Sequence, residues 1–464
     1  MSKDTVKGND RPNVIFFFSD QQRWDTVGTY GQELDVTPNL DRMAEEGVKF
    51  EYAFTPQPVC GPARSVLQTG KYATETGCYR NNIALPQDEK TIAHWFSEAG
   101  YEVGYIGKWH LASTGGHSNE DIGPRVDHQT EPIPLEWRGG WKDHWLASDI
   151  LEFTSHSYDG HMFNGEMERV EFPEDRYRVD CVTDYALNYL RDREGEREPL
   201  FLFLSYIEPH HQNDHDRYEG PRGSEERFGD FPVPGDLRET EEEGDWPENY
   251  PDYLGCCHSL DENLGRLMDE LERQDMAEDT VVVYTSDHGS HFKTRNEEYK
   301  RSPHEASIRV PLIVSGPGFR GGETVSELTS LIDLPPTLLR LADLEVPAYM
   351  RGRPLQETLG SGPERPREEI FTQISESEVG RGLRTHRWKY SVHAPEKDGR
   401  LDAGSDRYQE EYLYDLEEDP HERNNLVADP AYEEIRESLR ERLKERMAGA
   451  GEEVPHIDPR GGGK

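Results

Sequence analysis

The residues with the most chemical potential form one turn. Cys60-Gly61-Pro62-Ala63-Arg64 runs into Ser65-Val66-Leu67-Gln68-Thr69-Gly70. Gly61 and Pro62 suit a turn that enters a helix, because a proline there lacks only an N–H that would have no intrahelical partner. A group at position 60 then stands at a helix N-terminus, where free N–H groups and the dipole favour negative charge. Arg64, four residues on, can reach back along the same face. Taken alone, the pattern reads equally as a buried cysteine ahead of a capped helix. Four further stretches carry polar groups at the ends of apolar runs: Asp20-Gln21, Lys108 with His110, His210-His211, and Asp287-His288. In an open α/β sheet, ligands sit beyond the carboxyl ends of the strands. One Asp in so acidic a chain says little, and a His beside Trp109 reads as packing. Four such ends and the Cys60 turn on one rim read as a site.

The elements that must position them follow from the apolar pattern. Asn13–Ser19 is a continuous apolar run, as expected of a buried parallel strand. Tyr101–Gly107, Leu200–Ile207, Thr280–Ser286 and Pro311–Ser315 read as further strands. Helices are expected from an opening at Thr37-Pro38-Asn39-Leu40 through Glu46, after Cys60, over Thr91–Ala99, Asp180–Arg191, Tyr253–Arg273 and Ile332–Ala342. Strands alternating with helices predict an α/β fold with a large mixed, mostly parallel sheet flanked by helices. After Pro366 the pattern changes to short strands at Glu369–Ile374, Gly382–Thr385, Trp388–Val392 and Glu411–Tyr414, then a charged helix over Ala431–Ala448. The chain therefore divides into a polar segment 1–12, an α/β domain 13–365 that carries the candidate site, a C-terminal α+β subdomain 366–459 with a small antiparallel sheet, and a disordered tail 460–464. Residues 112–175 read as irregular. Trp137, Trp141 and Trp145 recur there every four residues, as on a helix face packed against the core or on a platform for a sugar ring. Residues 212–250 form a long acidic insertion of the kind that is functional or mobile.

Composition narrows the function classes. The 464 residues carry a net charge of −41, with 13 Lys against 39 Arg and 93 acidic residues. Such a composition predicts adaptation to high salt, where carboxylates stay hydrated and their repulsion is screened, with an ordinary acidic protein as the alternative. It has no polybasic patch, which argues against a nucleic-acid partner. No apolar run approaches membrane-spanning length, and Met1–Pro12 has no apolar leader, so the chain reads as cytoplasmic. Five cysteines are too few and too irregular for a disulfide framework.

The Cys60 turn resembles the signature of the type I sulfatases, in the alkaline phosphatase superfamily. Other motifs follow in that family's order: Gly107-Lys108-Trp109-His110-Leu111, Tyr299-Lys300-Arg301-Ser302 leading to Ser307-Ile308-Arg309-Val310-Pro311, Ser330–Thr337, and Leu413-Tyr414-Asp415-Leu416 with Asp419-Pro420 and Asn424-Asn425-Leu426. Asp20-Gln21 and Asp287-His288 stand where the family carries its two pairs of metal ligands, commonly Asp-Asp and Asp-Asn. The departures at Gln21 and His288 resemble a branch with choline sulfatases and phosphonate monoester hydrolases.

The resemblance implies hydrolysis of a sulfate ester, on a sugar, to alcohol and inorganic sulfate. Cys60 would be oxidised by a formylglycine-generating enzyme, and its aldehyde hydrate would be the nucleophile. Asp20, Gln21, Asp287 and His288 would hold one divalent cation. Oxygen ligands favour Ca²⁺, and the histidine leaves Mn²⁺ or Mg²⁺ open. Arg64 would favour the ionised nucleophile, Lys108 and Lys300 would hold sulfate oxygens, His110 would serve as base in sulfate release, and His210 would protonate the leaving alkoxide. His211, Arg217, Arg295 and His304 are the candidates for substrate binding. Two alternatives stay open: a phosphonate or phosphate ester hydrolase on the same site, or a binding protein for a metal or sulfated ligand whose Cys60 remains a thiol.

Overall fold

The computed structural model describes residues 11–115, 126–196, 198–238, 240, 243–360, 362 and 366–460. The disordered tail expected from 460 therefore falls, after Arg460, outside the described residues, as does most of the 1–12 segment. The large sheet has twelve strands. At its centre, Asn13–Ser19 pairs in parallel with Leu200–Ser205 on one side and Thr280–Ser286 on the other. Glu102–Lys108 continues the parallel run beyond Leu200–Ser205, and His144–Ser148 beyond that. Leu312–Ser315 joins the other flank antiparallel, so the sheet is mixed but mostly parallel.

The central run is apolar throughout because both of its faces are covered. Val14, Phe16 and Phe18 enter one core, and Ile15 and Phe17 the other. Burying a Phe side chain is worth roughly 2–3 kcal/mol, so this strand alone anchors the sheet strongly. Gly107 shows how closely its strands approach: a Cβ there would stand 2.0 Å from the Ser205 carbonyl oxygen, at a φ of +112°. Only glycine fits, and the next residue is Lys108.

Helices Pro38–Glu46, Arg178–Asp192 and Trp246–Arg273 cover one face. Helices Cys60–Thr69, Ile92–Glu98 and Leu334–Leu341 lie on the other side. A separate five-stranded sheet begins at Glu369–Ile374 and ends with His456–Asp458, which pairs in parallel with Arg407–Asp415. The other neighbours are antiparallel, and Leu439, Leu443 and Met447 of helix Glu433–Gly449 fill its core.

The region read as irregular is so only in part: most of 126–143 is irregular, and its strands begin at His144. Residues 112–175 contribute His144–Ser148 and Asp159–Asn164 to the large sheet. The tryptophans share no helix. Trp141 is fully buried against Tyr105 and Phe201, and Trp145 stacks on Tyr105 from a strand. A period of four is matched by accident where a short turn joins a strand. Neither ring is a platform for a sugar. Val48–Phe54 and Glu323–Ser330 are further strands that the apolar pattern did not mark, because their buried and half-exposed residues alternate irregularly.

Candidate active site

The parallel register brings the strand ends together. The Asp287 amide bonds the Ser19 carbonyl at 3.4 Å and the Asp20 amide bonds the Glu208 carbonyl at 3.1 Å. Asp20, Asp287 and the loop before His210 therefore stand side by side. Gln21 and His110 hold left-handed backbone conformations, with φ of 69° and 60°. A non-glycine residue stays there only where its surroundings enforce it.

Cys60 begins its helix, as the turn predicted, and is buried. Its Sγ lies 3.0 Å from Lys300 Nζ, 3.3 Å from His288 Nε2 and 3.5 Å from Asp20 Oδ1. Burial and Asp20 push the thiol up, but Lys108 and Lys300 outweigh them and bring it down to about 7. Arg64 donates to Asp20 Oδ2 at 2.9 Å and to the Lys108 carbonyl and Ser205 Oγ at 2.8 and 2.7 Å. Lys108 Nζ meets the same Asp20 oxygen at 2.8 Å. Burial opposes the charge of Asp20, yet Lys108, His210, Arg64 and Lys300 hold its carboxyl well below the usual range.

The histidine tautomers follow from their carbonyl partners. His210 Nδ1 donates to the His211 carbonyl at 2.6 Å, which turns the Nε2 lone pair toward Lys300 Nζ at 3.1 Å. His288 Nδ1 donates to the Gly289 carbonyl at 2.9 Å and presents Nε2 to Asp287 and Asp20 at 3.5 and 3.7 Å. Burial, then the neighbouring lysines, push His210 down to about 3. Burial and Lys108 do the same for His110. Burial brings His288 to about 4, against the pull of Asp287.

The donor set suits a divalent cation. Asp20, Cys60, Asp287 and His288 each offer an atom, all within 4.8 Å of one another. Asp287 Oδ2 and Gln21 Oε1 are buried with no hydrogen-bond partner among the described residues, although Arg64 Nε stands 3.7 Å from the former. Burial and the charge of Asp20 raise the Asp287 carboxyl to about 7, a repulsion that a cation would relieve. His288 has its other nitrogen on a carbonyl, the arrangement that fixes a ligating imidazole.

Comparison with known proteins decides the family. The Sulfatase family profile matches residues 12–344. The chain belongs to the sulfatase family. It is a sulfuric ester hydrolase. A second profile, the C-terminal region of N-sulphoglucosamine sulphohydrolase, matches residues 298–449. An ulvan-active sulfatase of Formosa agariphila is 28% identical over 475 residues, spanning 98% of this chain and 85% of that protein. The N-acetylglucosamine-6-O-sulfatase of Bacteroides thetaiotaomicron is 26% identical, across 94% of this chain and 86% of its own. The crystal structure of a Bacteroides fragilis protein named as the sulfatase yidJ superposes with a TM-score of 0.80, at 25% identity, over 97% of this chain and 98% of that one.

In this sulfatase the fold gathers Asp20, Cys60, Arg64, Lys108, His210, Asp287, His288 and Lys300 into one network. Gln21 joins it through its backbone, which donates to Asp287 Oδ1 at 2.9 Å. His110 lines a cavity of about 260 Å³ that also exposes Glu152 and Asn213. His211 packs its ring on Tyr299 and Tyr218 at the edge of the network. The other substrate-binding candidates lie elsewhere. Arg217 is exposed and paired with Glu219 at 2.9 Å. Arg295 donates to the carbonyls of Glu422 and His421, and His304 faces Tyr414; both line a different cavity against the C-terminal sheet.

Sequence reasoning missed four contributors. Glu152 Oε2 lies 3.6 Å from Lys108 Nζ and 3.5 Å from His210 Nδ1. Tyr218, from the long acidic insertion, accepts from Gln21 Nε2 at 2.6 Å. Asn213 donates to Glu152, and Asn81 accepts from the Gly61 amide at 2.9 Å. None sits in a strand-end pattern, so no local signal marks it.

Proposed function

We propose that this sulfatase hydrolyses a sulfate ester on a sugar, with formylglycine derived from Cys60 as nucleophile and one divalent cation held by Asp20, Gln21, Asp287 and His288. The carrying observation is Cys60 at a helix N-terminus within 3.0–3.5 Å of Lys300, His288 and Asp20. The sugar is supported by a relative named as an N-acetylglucosamine-6-O-sulfatase. Oxygen ligands and one histidine favour Ca²⁺, with Mn²⁺ or Mg²⁺ as alternatives. When bound, the cation would supply positive charge beside residue 60. The aldehyde hydrate at position 60 provides one oxygen to attack sulfur and a second hydroxyl to expel sulfate.

The chain's own residues do the rest. Arg64 is fixed by Asp20 and Ser205 and keeps the nucleophile's surroundings positive. Lys108 and Lys300 stand where sulfate oxygens would gather charge. His210 and Lys300, 3.1 Å apart, form the pair that can pass a proton to the leaving alkoxide. His110 is buried and held neutral, with no hydrogen-bond partner for Nδ1 among the described residues, as a base for sulfate release requires.

The test is sulfate release across sulfated mono- and oligosaccharides, with mass spectrometry of the peptide ending at Arg64. Activity is expected to scale with the fraction in which CH₂SH has become CHO, and Cys60→Ala is expected to fall to background. Multiple turnovers from a wholly thiol preparation would overturn the mechanism. Faster hydrolysis of aryl phosphonates than of aryl sulfates would favour the phosphonate reading.

A further inference from the structure

The cavity beside the reaction centre holds a buried arginine that the mechanism does not use. Arg80 is 5% exposed and lines the cavity of about 260 Å³ together with His110, Glu152 and Asn213. Glu152 ties this cavity to the chemistry, since its carboxylate reaches both Lys108 and His210. The segment is held in place on both sides. The Asn81 side chain accepts from the Gly61 amide, next to the nucleophile, and the Asn81 amide donates to Glu376 Oε1 at 2.7 Å.

The other arginines of this cavity have carboxylate partners. Arg301 pairs with Glu298 and Glu376, and Arg400 with Glu298. No described carboxylate stands within 4.0 Å of Arg80. Its NH1 donates to the Asn81 carbonyl at 2.8 Å, and its Nε has no hydrogen-bond partner among the described residues. A buried guanidinium without a counter-charge is costly, and a planar fork of donors matches sulfate or carboxylate oxygens. Glu152 and Glu376 also line this cavity, but they pair with Lys108 and Arg301 and not with Arg80, so in a chain of net charge −41 this buried cation beside the reaction centre is left for a ligand.

We infer that Arg80 forms a subsite for a second anionic group of the substrate, a sulfate or a carboxylate, borne beside the ester that is cleaved. The inference rests on the reading of the site as a sugar sulfatase. It makes Arg80 a specificity-determining residue: it binds a group that does not react, and it selects doubly charged sugars over singly charged ones.

The experiment uses binding, so that it does not depend on turnover. In the Cys60→Ala protein at fixed salt, calorimetry compares D-glucosamine 2-N,6-O-disulfate with D-glucosamine 6-sulfate, and glucuronic acid 2-sulfate with glucose 2-sulfate. The first pair tests a second sulfate and the second pair a carboxylate. At least one doubly charged ligand is expected to bind about 10-fold or more tightly than its partner, the gain expected of one charge-assisted pair. Arg80→Gln is expected to bring that ratio close to one, and Arg80→Lys to retain part of it. No preference in the Arg80 protein, or a preference that survives Arg80→Gln in a folded variant, overturns the inference. Failure of the sulfatase reading shows separately, as absence of sulfate release by the Cys60 enzyme from any of these esters.

Discussion

At the scale of single residues, the site turns on where protons reside. The His211 carbonyl fixes the His210 tautomer, and Lys300 shares its Nζ among Cys60, His210 and His288 at 3.0, 3.1 and 3.1 Å. His210 is pushed down to about 3 by burial and the lysines, so it is neutral near pH 7 before an anion arrives. An incoming sulfate adds the opposite charge and favours the protonated imidazole. The leaving group of a sugar ester is a poor one and needs that proton, whereas an activated aryl oxide does not. His210→Ala is therefore expected to slow sugar sulfates by about 100-fold or more and aryl sulfates by less than about 10-fold. Comparison of kcat/KM on the two classes checks this, and equal losses would leave His210 only a positioning role.

At the scale of elements, two junctions matter. The first is the pairing of Asn13–Ser19 with Thr280–Ser286, which sets Asp20 beside Asp287. Asp287→Ala is expected to remove most of the bound cation, and elemental analysis showing full occupancy would refute the ligand set. The second is the seam between the large sheet and the C-terminal sheet. Buried Glu305 meets Arg384 at 3.1 Å and Lys389 at 2.9 Å. Burial opposes its charge, but Arg384 and Lys389 hold its carboxyl far below the usual range. Glu305→Ala would strand those cations and is expected to cost about 3 kcal/mol in denaturant unfolding. A depressed folded pKa contributes stability that is complete above the unfolded value near 4.5. It is lost as pH falls through the folded value, so the seam is expected to loosen in acid. Glu422 beside it is pushed up by burial, against the pull of Lys389, and offsets part of that loss. A mutant whose unfolding free energy matches the parent's across pH 3–7 would dismiss the seam as a source of stability.

At the scale of the whole molecule, charge dominates. A net charge of −41 on 464 residues sets carboxylates against one another over most of the surface. Salt at 1 M shortens the screening length to about 3 Å, so distant repulsions vanish while close buried pairs persist. The melting temperature is expected to rise from low to molar salt, as in a protein adapted to brine. A flat or falling profile would remove that reading without touching the site. Among the described residues no helix is long and apolar enough to cross a membrane.

Much of this protein is determined by local sequence. The strand Asn13–Ser19 and the helix Pro38–Glu46 begin and end where the apolar runs and the glycine stop do, because burial on two faces and helix termination are local demands. Asp20, Lys108 and Asp287 are legible for the same reason, since each ends or directly follows a buried strand, and Cys60 opens a helix; Lys300, in the loop before helix Glu305–Ile308, is legible only through the family motif. Tertiary structure alone decided the rest. Tyr218 and Asn213 reach the site across a long loop, and Glu152 enters from a stretch that reads as irregular. Arg295 and His304 have the charge and residue type of sulfate binders, yet packing turns them toward the C-terminal sheet. Trp141 and Trp145 are core while Trp137 is only partly buried, since what surrounds Trp141 is Tyr105 and Phe201 from two strands of the large sheet. Arg80 carries the same lesson in reverse. No local pattern marks it, and only the absence of a described carboxylate within 4.0 Å of a buried guanidinium, a property of the folded chain, singles it out.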